Sequence, residues 1–348
     1  MDRDVWNPKK ESVEARLAHR EDHLLTSPYA TYSARSQGRV TPLAACPMRS
    51  EFQRDRDRII HCQSFRRLMY KTQVFLAPAG DHYRTRLTHT LEVSQVARTM
   101  ARALGLNEDL TEAAALGHDL GHTPFGHAGE DALRQCYDKN FAHYDQSLRV
   151  VEHLENDGQG LNLTWEVRDA IVNHTGSHMA STLEGLLIKF ADRIAYINHD
   201  IDDACRAGIL VPTDIPGELC DVLGYSHGER INTMVTSVIM ASEGQGTIAM
   251  TPEVQSATDK LRSFLFENVY LNPVAKAEEN KSKDLVFVLF EYFVKHPEKM
   301  PSLYIRMMQN GEAVERCVCD FISGMTDRYA IETYEELFVP RVWRGLHE

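Results

Sequence analysis

Long apolar stretches are missing from this sequence. The longest, LVFVLF, has six residues, whereas a helix that crosses a bilayer needs about 20. The opening segment, MDRDVWNPKKESVEARL, is charged and polar, so we expect no signal peptide. Internal repeats and low-complexity tracts are also absent. We therefore expect no membrane partner.

Cysteine is sparse and scattered. The chain has seven, an odd number, and only Cys317 and Cys319 lie close together in sequence. A Cys-x-Cys pair alone is a weak indication of a metal site, and the scatter suits a reducing compartment. We interpret the cysteines as structural and predict a cytoplasmic protein.

Positive charge is in deficit overall but concentrated locally. The 348 residues carry a formal net charge of −12 at pH 7, which disfavours a general nucleic-acid-binding surface. Between Arg49 and Arg102, however, eleven Arg or Lys residues stand against five Asp or Glu, an excess of six. This segment suggests either a small polyanionic ligand or a helix surface covered by salt bridges, as in EFQRDRDR.

Alternating strand patterns are scarce, whereas apolar residues with helical spacing recur. The clearest helical segments are DLTEAAALGHDLGH, THTLEVSQVARTMARALGL, HYDQSLRVVEHLEND and LEGLLIKFADRIAYINHDIDDACRAG, and QGLNLTWEV could form a short hairpin at most. Pro and Gly cluster at 208–228 and 244–252, which indicates loops. We predict an all-α fold with an extended, loosely ordered N-terminal arm at 1–45, a core at 46–210, and a C-terminal helical region at 211–348 packed on that core.

The stretch GHDLGHTPFGH gathers three imidazoles around one carboxylate. His118 and Asp119 are adjacent and can reach one ion, and a divalent cation with such ligands keeps positions open for water and substrate. Two protein ligands are too few to hold such a cation, so others must come from elsewhere in the chain. His89, in an apolar helical pattern, and Asp192, in the apolar segment LLIKFADRIAYI, are candidates for the others. Alternatively, Asp192 pairs with Arg193 or another arginine, because an unpaired buried charge is costly.

Five ordered segments carry a family resemblance. SEFQRDRDRIIHCQSFRRLMYKTQVF, RTRLTHTLEV, LGHDLGHTPFGHAGE, FAHYDQSLRVVEHLE and FADRIAYINHDIDD together resemble the HD-domain deoxynucleoside triphosphate triphosphohydrolases, the dGTPase-like proteins. The resemblance is dense over roughly residues 45–205 and rests beyond them on helical character and length. It implies an HD-domain helical bundle with a C-terminal helical extension. It also implies attack of water on the α-phosphorus of a dNTP, releasing deoxynucleoside and inorganic triphosphate.

The same resemblance implies the metal and catalytic residues. One divalent cation, Mg, Mn or another transition metal, would be bound by His89, His118, Asp119 and Asp192. The expected catalytic residues are His122, His127, Glu130 and His143. His127 and Glu130 are three apart, so the carboxylate could fix the imidazole's tautomer in an acid/base pair. His143 is either a phosphate or catalytic contact or a capping or packing residue, and whether His127 acts as acid or base stays open.

Five further residues are expected to bind substrate: Arg86, Gln73, Arg193, Tyr196 and Asp200. The arginines would hold phosphates, Arg86 through a bidentate grip. Tyr196 and Asp200 share one helical stripe with the predicted ligand Asp192. Tyr196 suits a phosphate or sugar contact, or else is ordinary core. Asp200 and, by resemblance, Gln73 suit the 3′-hydroxyl of the sugar.

Other functions stay open at this point. An HD phosphohydrolase could cleave a phosphomonoester or a cyclic phosphodiester, and the chain could be a sensor that binds a nucleotide or single-stranded nucleic acid. The resemblance favours a dNTP substrate, with a dNTP activator and a homo-oligomer as further expectations. His153 and His174 are interpreted as structural, although His174 could be a ligand in a binuclear site.

Overall fold

The structure, a computed structural model, describes residues 12–73, 84–271 and 273–340. The outer ends of the predicted arm and C-terminal region, and a short part of the predicted core, lie outside these residues. Within them the chain is helical, and its only β-pairing consists of two isolated bridges, Arg39 with Thr164 and Thr72 with Thr85. The all-α prediction is confirmed.

The helices are listed here in chain order. The first are α1 (Val13–Leu24), α2 (Glu51–His61), α3 (Gln63–Arg67), α4 (Arg86–Ala103), α5 (Glu108–Gly117), α6 (His127–Cys136), α7 (His143–Arg149), α8 (Glu155–Gly158) and α9 (Trp165–Val172). The later ones are α10 (Leu183–Arg206), α11 (Gly217–Leu223), α12 (His227–Ser242), α13 (Pro252–Leu265), α14 (Pro273–Lys295), α15 (Ser302–Gln309), α16 (Val314–Ser323) and α17 (Asp327–Phe338). Short 3₁₀ and π-helical turns lie between some of them.

The long helix α10 lies at the centre. Its 24 residues begin at a Thr182 cap whose side chain accepts a hydrogen bond from the Gly185 N–H, and they extend about 36 Å at 1.5 Å per residue. It packs against α4, α5, α9 and α12. One apolar cluster joins α4 and α10 to α11, α12 and α13. The C-terminal helices therefore share a core with the central helices, while the boundary at 210 stays a prediction.

The end of α5 and the segment that follows it together touch all three apolar clusters of the described chain. Ala115 belongs to the cluster around α10, Leu120 to the one under α2, α5 and α9, and Phe125 to the one formed by α6 and α14 to α17. Phe125 and Gly126 adopt left-handed φ angles of 61° and 57°. This reversal ends the segment and begins α6 at His127. Contacts with the three apolar clusters thus hold the stretch GHDLGHTPFGH and the last turn of α5 in place.

A set of contacts, which we call the clasp, ties this segment to the C-terminal helices. The Asp327 carboxylate accepts hydrogen bonds from the backbone N–H groups of Thr72 and Phe125, both at 2.9 Å. The buried Lys71 ammonium donates to the carbonyl oxygens of His122 and of Ser323, the latter at 2.8 Å. Residues at the start of α17 and the end of α16 therefore hold two separate loops of the core.

One local expectation was wrong. Residues 13–24 of the predicted extended arm form α1, and further along the arm the Thr31 N–H and hydroxyl bind the Glu184 carboxylate, each at 2.9 Å. The segment QGLNLTWEV, for which a short hairpin was the most that we expected, makes a single bridge to Arg39 before α9. The contacts of Thr31 with Glu184 and of Thr164 with Arg39 each join residues more than a hundred positions apart. A local sequence pattern cannot predict such contacts.

Candidate functional site

The four predicted metal ligands come together from three elements. His89 lies on α4 and Asp192 on α10, which pack side by side, while His118 and Asp119 occupy the turn after α5. His89 Nε2 is 3.1 Å from Asp192 Oδ1, and His118 Nε2 is 3.7 Å from Asp119 Oδ1. One donor atom each from His89, His118 and Asp119 lies within 4.8 Å of the others. Donors this close are compatible with one shared ion.

The backbone determines which nitrogen of His118 is free. Its Nδ1 lies 2.6 Å from the carbonyl oxygen of Ala115, and because a carbonyl only accepts, Nδ1 carries the proton. Nε2 then keeps its lone pair. His174 repeats this arrangement, with Nδ1 2.7 Å from the Ile171 carbonyl oxygen and its ring 5.0 Å from that of His118.

Both carboxylates are held in the ionised form. Arg86 Nη1 donates to Asp119 Oδ2 at 2.6 Å. Burial would raise the pKa of Asp119, but the neighbouring His118 imidazole and the Arg86 guanidinium hold it well below its usual range. Burial likewise opposes ionisation of Asp192, whereas the hydrogen bond with the His89 imidazole and the closeness of that ring lower its pKa to about 2. The alternative partner of Asp192, Arg193, instead lies 3.5 Å from Asp259 on α13.

This donor set fits a divalent cation. His89, His118 and Asp119 place their ligand atoms close together, Asp192 lies beside His89, and Arg86 offsets only part of the negative charge. Mixed nitrogen and oxygen ligands suit Mn and other transition metals, and carboxylates suit Mg.

Glu130 gathers the predicted acid/base residues beside this centre. Its buried carboxylate accepts a hydrogen bond from His143 Nδ1 at 3.1 Å and lies 3.6 Å from His127 Nδ1. Arg134 and the His143 backbone N–H also bind it. The sequence predicted His127 as the partner of Glu130, but the shorter contact is to His143. The His127 side chain is 83% exposed.

The neighbouring imidazoles differ in their preferred protonation. Burial would raise the pKa of Glu130, but hydrogen bonds from His127 and His143 lower it below its usual range. Burial would lower the pKa of His143, but its bond to Glu130 outweighs this and raises it. Burial and the nearby Arg86 charge hold the pKa of His122 well below its ordinary value. The rings of His122 and His143 stack 4.6 Å apart, so one imidazole that favours protonation lies on one that stays neutral.

Asp200 lies two turns beyond Asp192 on α10 and is 3% exposed. The Tyr270 hydroxyl donates to its Oδ2, while its Oδ1 is buried without a partner. Burial raises the pKa of Asp200 to about 7, despite the Tyr270 hydrogen bond. Tyr196, on the same stripe, packs against the α10 apolar cluster as a core residue would.

Several of the predicted site residues have a buried polar atom without a partner. Within the described chain, buried side-chain atoms with no hydrogen-bond partner include Gln73 Oε1, Arg86 Nε, His122 Nδ1 and Asp200 Oδ1. Buried polar atoms are nearly always bonded, and an exception calls for an explanation. A polar ligand would supply the missing partners.

The comparisons with known proteins agree with this geometry. The HD domain family model matches residues 86–197, and the phosphohydrolase-associated domain model matches residues 248–336. A deoxyguanosinetriphosphate triphosphohydrolase-like protein from Caldanaerobacter subterraneus subsp. tengcongensis is 56% identical over 322 residues, covering 92% of this chain and 95% of that protein. Another, from Desulfatibacillum aliphaticivorans, is 46% identical over 347 residues, covering 94% and 99%. The chain belongs to the deoxyguanosinetriphosphate triphosphohydrolase-like family.

A solved structure supports the fold of this family member. The crystal structure of a phosphohydrolase from Bacteroides thetaiotaomicron VPI-5482 aligns with a TM-score of 0.50 at 19% identity, covering 80% of this chain and 66% of that one. The resemblance inferred from sequence motifs is confirmed. The HD-domain match contains all four predicted metal ligands and the Glu130 cluster.

The structure adds site residues that sequence reasoning missed. His174, interpreted as structural, lies between the rings of His118 and His143, and burial lowers its pKa to about 3. His199 contacts His89 Nδ1, and Tyr270 binds Asp200. The only sequence signal for His199 was its place two turns after Asp192, and Tyr270 had none.

The basic segment is largely neutralised within the chain. Arg86 pairs with Asp119 in the candidate site. Six more arginines of this segment form ion pairs with acidic side chains: Arg49, Arg54, Arg56, Arg84, Arg98 and Arg102. The salt-bridge interpretation is confirmed for these six.

All seven cysteines, each in the described part of the chain, are free thiols. None of the helices between residues 12 and 340, outside the two undescribed gaps, has the length and apolarity needed to cross a membrane.

Proposed function

We propose that this chain hydrolyses deoxynucleoside triphosphates to deoxynucleoside and inorganic triphosphate in a metal-dependent reaction. The observation that carries the proposal is the meeting of a His/Asp donor set with the imidazole cluster of Glu130. The name of the relatives, deoxyguanosinetriphosphate triphosphohydrolase-like, supports a dNTP as the substrate class.

One divalent cation, Mg, Mn or another transition metal, would be held by His89, His118, Asp119 and Asp192. When bound, it would neutralise charge developing on the α-phosphate and acidify a water molecule. Arg86 holds Asp119 through Nη1 while its Nε is unpaired. We assign Arg86 Nε to an α-phosphate oxygen, where a charge-assisted hydrogen bond is strongest.

The Glu130 cluster would handle phosphate and protons. Attack of water forms an oxygen–phosphorus bond and breaks the bond to the 5′-oxygen, which must gain a proton. His127 directs Nδ1 toward Glu130, so its Nε2 is left to exchange a proton with the 5′-oxygen or the water. His143, whose pKa is raised, would donate to a phosphate oxygen, and His122 would accept or donate through its unpaired Nδ1.

The deoxyribose would lie toward Asp200. Asp200 Oδ1 and Gln73 Oε1 are buried acceptors to which no group donates a hydrogen bond. The 3′-hydroxyl of the sugar can donate one. The Tyr270 hydroxyl fixes the orientation of the Asp200 carboxylate. We assign no phosphate contact to Arg193, since it pairs with Asp259.

Product analysis tests this function. The purified chain is incubated with Mn²⁺ or Mg²⁺ and each dNTP, singly and mixed, in ¹⁸O-labelled water, and the products are separated by ion exchange. We expect deoxynucleoside without label and triphosphate carrying one labelled oxygen. Orthophosphate or a nucleoside monophosphate would contradict the proposal, and so would label in the nucleoside. His153→Ala, at an imidazole 60% exposed, is a control expected to keep full activity.

Three finer expectations remain predictions: a dNTP activator, a homo-oligomer and a cytoplasmic location. The mixed-dNTP incubations address the activator, because activation makes a mixture turn over faster than its components do separately. Sedimentation addresses the assembly. Binding of single-stranded nucleic acid has lost part of its support, since the basic segment is neutralised by ion pairs.

A further inference from the structure

His199 lies directly behind the predicted metal ligand His89. The two Nδ1 atoms are 3.4 Å apart, and the rings meet edge to face with centroids 5.6 Å apart and an interplanar angle of 88°. His199 is seven residues after Asp192 on α10, so two turns of one helix supply both a ligand and this contact. The His199 side chain is 3% exposed.

On the side away from His89, the His199 ring contacts a carboxylate. His199 Nε2 is 3.0 Å from Glu92 Oε2, on α4 one turn after His89. Arg84 Nε in turn lies 3.2 Å from the same Glu92 oxygen and holds the carboxylate in place. Burial would raise the pKa of Glu92, but the hydrogen bond from His199 and the charge of Arg84 lower it below its ordinary value.

Hydrogen-bond direction follows from this chain of contacts. An ionised carboxylate only accepts, so His199 Nε2 carries a proton. A neutral imidazole with Nε2–H has a lone pair on Nδ1, and that lone pair accepts from His89 Nδ1–H. That tautomer leaves the lone pair of His89 Nε2 for a metal ion, whereas the hydrogen bond between Nε2 and Asp192 Oδ1 at 3.1 Å belongs to the protein without the ion.

We propose that Glu92 and His199 form a relay that sets the tautomer of His89 and holds its Nε2 ready to bind a metal ion. This inference rests on the proposed metal site. Such a relay is needed because Asp192 could itself accept a hydrogen bond from His89 Nε2, which would favour the opposite tautomer. The other imidazole ligand, His118, needs no relay, since the Ala115 carbonyl fixes it at 2.6 Å. His199 is therefore a positioning residue.

Metal affinity tests the relay without using turnover. Mn²⁺ binding is measured by titration calorimetry on the full chain and its variants. We expect His199→Leu to weaken binding about 10- to 100-fold, the usual effect of removing a group that orients a ligand. His199→Asn keeps an acceptor oxygen near the position of Nδ1 and should restore most of the affinity. Glu92→Leu should weaken binding in the same direction, because His199 loses the acceptor that fixes Nε2–H.

A matched control comes from the neighbouring histidine. The His227 ring stacks on His199 with centroids 6.2 Å apart and an interplanar angle of 10°, and it pairs with Asp202 rather than with His89. His227→Leu should therefore leave Mn²⁺ affinity unchanged. Circular dichroism melting verifies that each variant is folded. Wild-type affinity in folded His199→Leu would overturn the relay, and so would equal losses in the Leu and Asn variants.

Nuclear magnetic resonance of ¹⁵N-histidine protein loaded with diamagnetic Zn²⁺ gives a direct view of the tautomers. We expect His199 as the Nε2–H form and His89 as the Nδ1–H form. A His199 ring protonated at Nδ1 would overturn the proposal. If the wild type binds neither Mn²⁺ nor Zn²⁺, the proposed metal site fails together with the relay. Metal binding that responds to His199 without any dNTP turnover would instead refute the proposed function alone.

Discussion

Replacing Asp200 by Asn should stabilise the protein at neutral and alkaline pH while reducing its activity. Burial raises the pKa of this carboxyl from 3.8 to about 7, whereas in an unfolded chain it titrates near 3.9. The folded state therefore retains a proton that the unfolded state releases. The resulting stability is fully present below about pH 4 and is lost as the pH rises through the interval up to 7.

The size of the effect follows from this pKa difference of about 3. At 1.36 kcal/mol per unit, ionised Asp200 costs the folded state up to about 4 kcal/mol above pH 7. Roughly half of that cost is already present at pH 5.5. Asn stays neutral at every pH, and its oxygen can accept the Tyr270 hydrogen bond. The stability advantage of Asp200→Asn should therefore grow by about 2 kcal/mol between pH 5.5 and pH 8.

Thermal melting of both proteins at several pH values measures this difference. We expect the gap in melting temperature to widen by a few degrees toward pH 8. Asp259→Asn, at a side chain 54% exposed, is the control and should show a gap that hardly depends on pH. An advantage that is constant with pH, or a variant less stable at pH 8, would refute the reasoning. At pH 8, where the Asp200 carboxylate is mostly ionised, loss of the sugar contact should lower kcat/KM about 100-fold, within the range for a hydrogen bond to a charged group.

Three further variants separate the other roles. His118→Ala should remove bound metal and activity together, and stoichiometric metal in the purified variant would contradict its assignment as a ligand. His127→Ala should keep metal and nucleotide binding but slow turnover about 10²-fold or more; full activity would exclude it from the mechanism. Gly121→Ala would place a Cβ 2.1 Å from the Ser147 nitrogen, so we expect a loss of about 3 kcal/mol or more, and an unchanged melting temperature would argue against this packing.

Local sequence chemistry predicted the ligand set because each ligand had a local signal. His118 and Asp119 were adjacent, and an apolar helical pattern surrounded both His89 and Asp192. Periodicity also predicted the helices of the core: α10 lies within its predicted segment, whereas α4 and α5 overlap theirs and begin slightly earlier. The helix α5 ends at Gly117, so the predicted helical segment that ran on to His122 was too long.

Contacts that only the tertiary fold creates could not be predicted from the sequence. Of the two imidazoles, His143, thirteen residues after Glu130, lies closer to that carboxylate, because α7 returns to the start of α6. Spacing alone favoured His127, three residues away. His174 looked structural because nothing in NHTGSH indicates that its ring lies beside that of His118. The helix α1 was missed because its apolar positions are few and charged residues interrupt them.

The clasp has a consequence for how this protein can be divided. The HD-domain match ends at residue 197, yet the loops at Thr72 and Phe125 are held by Asp327, and Lys71 by Ser323. The segment that matches the HD domain therefore depends on contacts with residues that lie outside that match. A fragment cut after α10 would keep every predicted metal ligand and lose the contacts that hold the segment between α5 and α6. We therefore expect an HD segment exchanged between related proteins to keep its local structure only if both sides of the clasp are exchanged together.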